Sequence, residues 1–567
     1  KIQISKLMYR IIIFFLFQVS VFSILSAQET IYVKVQPGDA TPRLQNAIEQ
    51  ARHLKGKKVV IQLEQGNYDL YRNSSSKQVY FISNTASKEE NPDPTKHIGL
   101  WIKDMKNLII DGGGAHLITH GEMTSFVIDK SENITLRNFT LKAADPSVTE
   151  MKVIDTTAYT ATFRIHPKDR YEITDKQIKW IGTEWSFTGG IAQTFNLHTN
   201  ITNRCNLPTD HVVSLTDIGN HQIHATYDKK VTLYPGEIFQ MRDAIRDEAC
   251  GFIHLSKNII LEHLNLHFLG NFGIVGQYSE NLTYKYLNCE PEYGSGRTCA
   301  GFADFVQMSG CKGKIHIINS RFEGAQDDPI NVHGTHLKVI AYEPGNKIVV
   351  RFMHPQSYGF EAFFPGDEVE FTEIHSLQCL HKASVLKVER INDYDCKLTL
   401  NGSVPSILPQ QEVVIENITW TPEVEIRNNY FARTPTRGIL VTTRRKVIIE
   451  NNVFYRTPMS AIAISNDARS WYESGPVHDL TIRNNRFIEC GSPVINIAPE
   501  NNRPNGTVHK GIRIENNRFT LTLKDKQAIY ARWTDNIRIS GNYFDGIYPI
   551  STKESVLLEH CTNVENE

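Results

Sequence analysis

The sequence predicts an all-β fold: a right-handed parallel β-helix with two inserted small antiparallel β-barrel-like domains. Three observations predict it. A short strand, an Asn-rich turn and a Phe recur together, they recur at a short period, and two long stretches alternate like antiparallel strands without this mark. The chain has 567 residues, is 40% hydrophobic and carries a formal net charge of -1. These values argue against disorder and against a polyanion-binding protein, so we expect no nucleic-acid partner.

The first 27 residues predict an export signal. A basic segment with Lys6 and Arg10 precedes the apolar run 11–16, and small residues end at Ala27. This order is typical of a secretory signal peptide, and Gln18 interrupts the longer span that a membrane anchor would need. We expect cleavage after Ala27, no membrane span in the mature chain, and a bacterial protein in the periplasm or outside the cell.

The next segment predicts an N-terminal cap. Leu44, Ala47 and Ala51 have helical spacing, and residues 59–63 alternate like a strand. The predicted units are the signal peptide at 1–27, the cap and first coils at 28–150, a first barrel-like insert at 151–241, coils with candidate acids at 242–336, a second barrel-like insert at 337–418 and C-terminal coils at 419–567.

The repeat itself is clearest near the C-terminus. The copies are VEIRNNYF (424–431), VIIENNVF (447–454), LTIRNNRF (480–487), IRIENNRF (512–519) and IRISGNYF (537–544), with an earlier copy, IHIINSRF, at 315–322. The five C-terminal Phe residues are 23, 33, 32 and 25 residues apart. Asn tolerates a left-handed bend and can hydrogen-bond to the Asn of the next coil, while Phe fills the interior. A leucine-rich repeat or a propeller would need other patterns.

The two inserts are predicted because two long stretches lack the repeat of the coils. Residues 151–241 and 337–418 alternate strongly but have no Asn-Asn-x-Phe mark. The alternative is two long coil excursions. Compact β-domains are favoured because stretches of this length without strands would be unusual loops.

Three acids predict the chemistry. Asp304 lies in GFADF (301–305), and Asp327 and Asp328 lie in GAQDDPINVHG (324–334). Asp304 and Asp327 are 23 residues apart, one short coil, so they should stack at about 4.8 Å. Crowded carboxyls raise one another's pKa, and glycoside hydrolysis needs one carboxylic acid and one carboxylate. The alternative is an Asp ladder capped by backbone N–H groups.

With these motifs, the Asn-rich coils and the two inserts, the mature chain resembles glycoside hydrolase family 110. These are exo-acting α-1,3-galactosidases that remove terminal galactose from blood group B-type glycans with inversion. The resemblance implies that Asp327 is the general acid and that Asp304 and Asp328 hold and deprotonate the attacking water. The polygalacturonases are similar in placing an acid and an Asp pair on this scaffold. Inverting enzymes separate acid and base by about 6.5–9.5 Å, whereas stacking predicts about 5 Å, so inversion follows from the resemblance alone.

Further candidates for sugar contacts lie nearby in sequence. The segment 466–473 interrupts a coil and could face the acids, or it could be a solvated turn; Trp471 suits the apolar face of galactose. The predicted substrate-binding residues are His333, Asn466, Asp467, Trp471, Glu473, Arg437 and Arg444. We expect no metal and no cofactor, because neither an HExxH motif, an EF-hand loop nor a phosphate-binding loop is present. Nine scattered Cys leave either a disulfide near the site or simple packing.

Three functions therefore remain, and a fourth, a β-elimination lyase, is less favoured because it would normally need a Lys, an Arg or calcium near the acids. The first is an exported α-1,3-galactosidase whose partner is a galactosylated oligosaccharide or glycoconjugate. The second is a polygalacturonase-like hydrolase, which would need basic residues for uronate carboxylates. The third is a non-catalytic glycan-binding β-helix. Homo-oligomerisation and the need for a fucosylated branch stay open.

Overall fold

Stacked coils form the body of the protein. The structure is a computed structural model that describes residues 28–54, 56–521, 527–546 and 552–566. The predicted signal peptide, 1–27, lies outside the described residues. One parallel sheet of 21 strands runs along the stack. Its strands are Gln28–Val33, Lys58–Leu63, Asn67–Tyr71, Lys106–His120, Glu132–Ala143, Lys257–Leu266, Glu280–Lys285, Asn288–Cys289, Lys312–Ile318, Arg321–Glu323, Glu423–Arg427, Tyr430–Ala432, Lys446–Glu450, Val453–Tyr455, Asp479–Arg483, Arg486–Ile488, His509–Glu515, Arg518–Leu521, Thr534–Ser540, Tyr543–Gly546 and Thr562–Asn566.

A second parallel ladder closes the coils. It begins at the strand Thr95–Lys103, which also pairs antiparallel with Ser76–Val79. The strands that follow are Thr124–Asp129, Gly251–His254, Ile274–Gln277, Val306–Ser309, the start of Ile330–Glu343, Ile439–Val441, Ile462–Ile464, Ile495–Ile497, Ile529–Arg532 and Val556–Glu559. One continuous apolar core lies between the two ladders.

The repeat residues do what their pattern predicts. Phe322, Phe431, Phe454, Phe487, Phe519 and Phe544 form one stack with ring centroids 4.8–5.3 Å apart. The first Asn of each Asn-Asn pair has a left-handed φ, as at Asn484 with 56°. The second Asn is buried, and its amide bonds the next coil: Asn485 Nδ2 donates to Asn517 Oδ1 over 3.0 Å. Interior packing and buried hydrogen bonds therefore hold successive coils in register.

Among the described residues, helices are few and lie at the periphery. The helix Thr41–His53 buries Leu44, Ala47, Ile48 and Ala51 against the first coils. The other helical elements are the short α-helix Thr552–Ser555 and the 3-10 turns Arg72–Ser74 and Leu408–Gln410. The apolar spacing of the first helix explains why it caps the core of the β-helix.

Both inserts are antiparallel. The first contains a seven-stranded sheet, Val148–Thr156, Thr160–Ile165, Ile191–Asn196, Ile201–Cys205, Val212–Gly219, Gln222–Tyr227 and Glu237–Arg242, and a three-stranded sheet, Arg170–Thr174, Gln177–Ile181 and Ser186–Thr188. The second closes into a six-stranded barrel from the end of Ile330–Glu343 with Lys347–Arg351, Glu368–Glu373, Cys379–Arg390, Asp395–Asn401 and Val413–Asn417. The predicted fold class is confirmed.

Candidate active site

The three acids meet in one cavity of about 270 Å³ on the outside of the second ladder. Its lining residues are Asn84, Arg246, Asp304, Asp327, Asp328, Asn331, Arg437, Leu440, Ser465, Asp467, Ser470, Trp471, Glu473 and Glu500. Of the residues predicted from sequence, Arg437, Asp467, Trp471 and Glu473 join the acids there. His333, Asn466 and Arg444 do not line it.

The ladder corrects the predicted register of the acids. Val306 pairs with Ile330, so this coil has a period of 24 residues and not 23. The pairing begins at Val306 and Ile330, so Asp304, Asp327 and Asp328 lie just before the paired strands. Further along the strands, Asn331 pairs between Gln307 and Leu440, and its side chain lies in the cavity because alternate positions of a strand face outward.

Burial and mutual repulsion perturb two of the acids. Asp304 is 5% exposed, and its burial raises the pKa of its carboxyl well above the usual range. Asp327 and Asp328 add to that rise, while Arg246 opposes it. Burial also raises the pKa of Asp328, against the effect of Arg437. Arg437 Nη2 lies 2.7 Å from Asp328 Oδ2, and the Arg437 backbone N–H donates to Oδ1 over 3.0 Å.

Asp327 is the most accessible of the three acids. Its side chain is 26% exposed and faces two arginines, Arg204 at 3.6 Å and Arg246 at 3.9 Å. Its carbonyl accepts a hydrogen bond of 2.9 Å from the hydroxyl of Thr434. The hydrogen bond from Thr434 thus fixes the backbone of Asp327, while the carboxylate of Asp327 remains accessible to a ligand.

Asp467 organises the rim of the cavity. Its carboxylate accepts hydrogen bonds from the backbone N–H groups of residues 469–472. The neighbouring Asn466 is buried with a positive φ of 145°, and its Oδ1 accepts from the N–H of Gly475. Asn466 and Asp467 therefore shape this loop through the backbone donors that bond to their oxygens, and the predicted sugar contacts of both residues stay predictions.

This clamped loop presents Trp471 and Glu473. Trp471 is 43% exposed and stacks on His354 of the second insert, with ring centroids 4.3 Å apart. Glu473 Oε1 accepts hydrogen bonds from Asn84 Nδ2 over 3.0 Å and from Asn331 Nδ2 over 3.4 Å. An aromatic ring and a carboxylate thus border the three acids, a combination suited to the apolar face and the hydroxyls of a sugar.

His333 and Arg444 support the site from outside the cavity. His333 is buried, with Nε2 3.5 Å from Glu473 Oε1, and its Nδ1 donates to the carbonyl of Gly334. Arg444 pairs with Glu370 at 2.9 Å and also with Glu416, both on strands of the second insert. Arg444 was predicted to contact sugar, but it does not line the cavity, and its guanidinium joins the barrel to the coils.

Asn84, Arg204 and Arg246 were missed from the sequence. They lie far from the acids along the chain, in segments without a repeat or motif. Asn331 could have been found, since it lies in the same motif three residues after Asp328 and its spacing places it on an outward position.

The first insert holds both acid-bearing segments. Gln193 Nε2 donates to the carbonyl of Ala325 over 3.2 Å, and Gln240 Nε2 donates to Thr298 Oγ1 over 2.7 Å. The buried guanidinium of Arg242 lies 4.6 Å from the ring of Phe302. The insert therefore packs on both motifs that carry the acids.

The thiol of Cys299 contacts the backbone carbonyls of Gly301 and Gly324, in the two motifs that carry the acids. The nine cysteines all lie among the described residues, and all are free. Burial raises the pKa of the Cys299 thiol to about 12, as expected of a packing residue. Over the described part of the chain, no group of three His, Cys, Asp or Glu side chains could hold a metal ion.

A parallel β-helix with crowded carboxyls in a cavity is an arrangement of the glycoside hydrolase class. Similar proteins agree with this class. The chain is 45% identical over 545 residues to α-1,3-galactosidase A of Bacteroides thetaiotaomicron, covering 96% of each protein. It is 36% identical to α-1,3-galactosidase A of Bacteroides fragilis, covering 88% of this chain and 84% of that protein. The chain belongs to the family that these α-1,3-galactosidases form.

Two further comparisons agree. The chain is 32% identical over 535 residues to α-1,3-galactosidase B of Parabacteroides distasonis, covering 90% of this chain and 86% of that protein. The family described as GLAA-B beta-barrel domain II matches residues 347–414, which belong to the closed barrel.

Proposed function

We propose that this protein is an exo-acting α-1,3-galactosidase of glycoside hydrolase family 110. Its substrate is the terminal α-1,3-linked galactose of blood group B-type glycans, and linear α-1,3-galactosyl glycans are a second substrate to test. The observation that carries the proposal is the cavity in which Asp304, Asp327 and Asp328 meet beside Trp471. The names of the curated relatives supply the linkage.

The charges of the cavity favour a neutral sugar over a uronate. Six carboxyls line it, those of Asp304, Asp327, Asp328, Asp467, Glu473 and Glu500. Its two arginines are engaged: Arg437 pairs with Asp328, and Arg246 donates to Gln356 and faces Asp327. A galacturonate carboxylate would need an available cation, so the polygalacturonase-like alternative is disfavoured.

In the proposed mechanism, Asp327 protonates the glycosidic oxygen of the leaving group. Asp304 and Asp328 hold a water molecule, and one of the two, as a carboxylate, takes one proton from the water as it attacks the anomeric carbon. The ion pair with Arg437 supports the base role of Asp328, because a cation stabilises the ionised carboxyl. The exposure of Asp327 supports its role as the acid, since it must reach the substrate.

Burial raises the pKa of both Asp304 and Asp328. Interacting carboxyls share protons, so their apparent pKa values belong to the pair and not to one member. Removal of galactose with inversion requires water on the face opposite the leaving group. In the proposed mechanism, the water molecule lies at the buried Asp304 and Asp328, and the glycosidic oxygen of the leaving group lies at Asp327.

Galactose release tests the function. The purified protein is incubated with a B-type α-1,3-galactosyl oligosaccharide, with the linear α-1,3-galactosyl disaccharide, and with oligogalacturonate. We expect galactose from the first two and no cleavage of the third. Cleavage of oligogalacturonate alone would make the protein a polygalacturonase-like hydrolase, and binding without cleavage would make it a glycan-binding module.

We also propose that the protein is exported. The basic and apolar pattern of residues 1–27 supports this proposal. Among the described residues, no helix has the length and apolarity to cross a membrane. Cell fractionation of the native host would test export: activity in the periplasm or medium is expected, and activity confined to the cytoplasm would contradict it.

A further inference from the structure

A second concave surface lies close to the cavity, on the far side of the chain segments next to Trp471. We call it the outer groove. It is an open depression of about 560 Å³, lined among others by Lys88, Glu89, Met353, Asp393 and Tyr394. Met353 is 38% exposed although it is apolar. Most of the groove belongs to the closed barrel, and the rest comes from the segment before the strand Thr95–Lys103.

The outer groove and the cavity share one wall. The wall consists of residues 84–90 and 353–357, joined where the backbone N–H of Asn84 donates to the carbonyl of Gln356 over 2.8 Å. Gln356 Nε2 donates to the carboxylate of Glu90, and Gln356 Oε1 accepts from Arg246 Nη2 over 2.7 Å. Asn84 faces the cavity, whereas Lys88, Glu89 and Met353 face the groove. The wall is therefore fixed, and its two faces are both open to a ligand.

Trp471 and His354 form the ridge between the two surfaces. The exposed ring of Trp471 lines the cavity and stacks on His354. His354 lies between Met353 and Pro355, which both line the groove. A glycan that leaves the cavity past Trp471 would cross His354 and reach the groove.

We propose that the outer groove binds the part of the substrate glycan that remains after galactose is released, a neutral oligosaccharide. This inference rests on the proposed function. Met353 and Tyr394 provide apolar surface for sugar rings, and Glu89 provides hydrogen-bond acceptors. The cations are neutralised locally: Lys88 lies 3.3 Å from Asp393, and Arg351 lies 2.7 Å from Asp395. A neutral polyol fits this balance better than an anion does.

Two measurements on the full chain test the groove. The first compares kcat/KM for an aryl α-galactoside, which has no further sugar, with kcat/KM for an α-1,3-galactosyl tetrasaccharide. Binding energy from the remote sugars should favour the tetrasaccharide. The double variant Glu89→Gln/Met353→Ala should reduce the tetrasaccharide-to-aryl ratio about fivefold or more. Met459→Ala removes a similarly exposed methionine, 48% exposed on a coil, and should leave the ratio as in the wild type.

The second measurement does not depend on catalysis. Ligand-observed NMR follows binding of the galactose-free trisaccharide to the wild type and to the double variant. We expect saturable binding to the wild type and its loss in the variant. An unchanged ratio together with equal trisaccharide binding would overturn the groove while leaving the galactosidase proposal intact. If no substrate releases galactose, the proposed function fails, and trisaccharide binding alone decides whether the groove recognises glycans.

Discussion

At the scale of single residues, the proposed mechanism gives different roles to the accessible Asp327 and to the buried Asp304 and Asp328. Replacing Asp327 with Asn removes the proton donor but keeps the shape of the side chain. We expect kcat for an α-1,3-galactosyl disaccharide to fall about 10²–10⁴-fold, because general acid catalysis contributes that much. An aryl galactoside with an acidic phenol needs little protonation and should lose much less. Steady-state kinetics on both substrates checks this, and equal losses would assign the acid elsewhere.

Asp467 is expected to act through the loop that it clamps. In Asp467→Ala the four backbone N–H groups of residues 469–472 lose their acceptor. Each hydrogen bond to a charged group contributes about 1.5–3 kcal/mol, so Trp471 and Glu473 should lose their fixed positions. We expect KM for the oligosaccharide to rise about tenfold or more, with a smaller change in kcat. Asp175→Ala, in a turn of the first insert, is the control; a wild-type KM in Asp467→Ala would refute the clamp.

Glu122 should couple stability to pH. Burial raises the pKa of Glu122 to about 7, and the acids at 243, 247 and 248 add to the rise. Because the folded pKa lies above the unfolded value of 4.5, the unfolded state ionises first, and stability falls as pH rises from about 4.5 to 7. A difference of this size corresponds to about 3 kcal/mol. We expect Glu122→Gln to raise Tm at pH 8 and to have little effect at pH 5. Similar gains at both values would contradict the assignment.

At the scale of elements, the buried Asn ladder holds the C-terminal coils in register. Asn485 Oδ1 accepts from both the backbone N–H and the amide of Asn452, and Asn485 Nδ2 donates to Asn517 and to the carbonyl of Ile449. Asn485→Ala leaves several of these buried groups unpaired, at a cost of about 3 kcal/mol or more. The neighbouring exposed Asn484 has a left-handed φ, so Asn484→Gly should be nearly neutral. Denaturant unfolding compares the two variants, and equal losses would count against the ladder.

The elements that could be predicted share a local signature. The Asn-Asn-x-Phe copies predict both the bends and the Phe stack, because each copy carries its own turn residue and its own interior residue. The strand register of the two acid-bearing coils could not be predicted from the sequence. The strand pairing at this coil has a period of 24 residues, and not the 23 that separate Asp304 from Asp327, and only the ladder shows this difference.

At the scale of the whole molecule, the candidate site combines chain segments that are distant in sequence. The acids come from two successive coils, the rim from the loop at 466–473, and the walls from residues near Asn84 and Arg246. The acids could be predicted because they lie in compact motifs. Asn84 and Arg246 could not, since their place depends on how the two inserts pack on the coils.

The inserts therefore contribute to the site as walls. The first packs on the two acid-bearing segments through Gln193 and Gln240, and the second supplies His354 behind Trp471. Such walls close one side of an otherwise open β-helix surface, which favours a terminal sugar over the interior of a polymer. This is the structural basis that we propose for exo-action.

We propose an inverting α-1,3-galactosidase whose acid and base are carboxyls of adjacent coils. Its most direct test is time-resolved proton NMR of the protein with a B-type α-1,3-galactosyl oligosaccharide, before mutarotation mixes the anomers. We expect the first galactose to appear as the β-anomer. The α-anomer as first product would contradict inversion and would make one of the three aspartates a nucleophile.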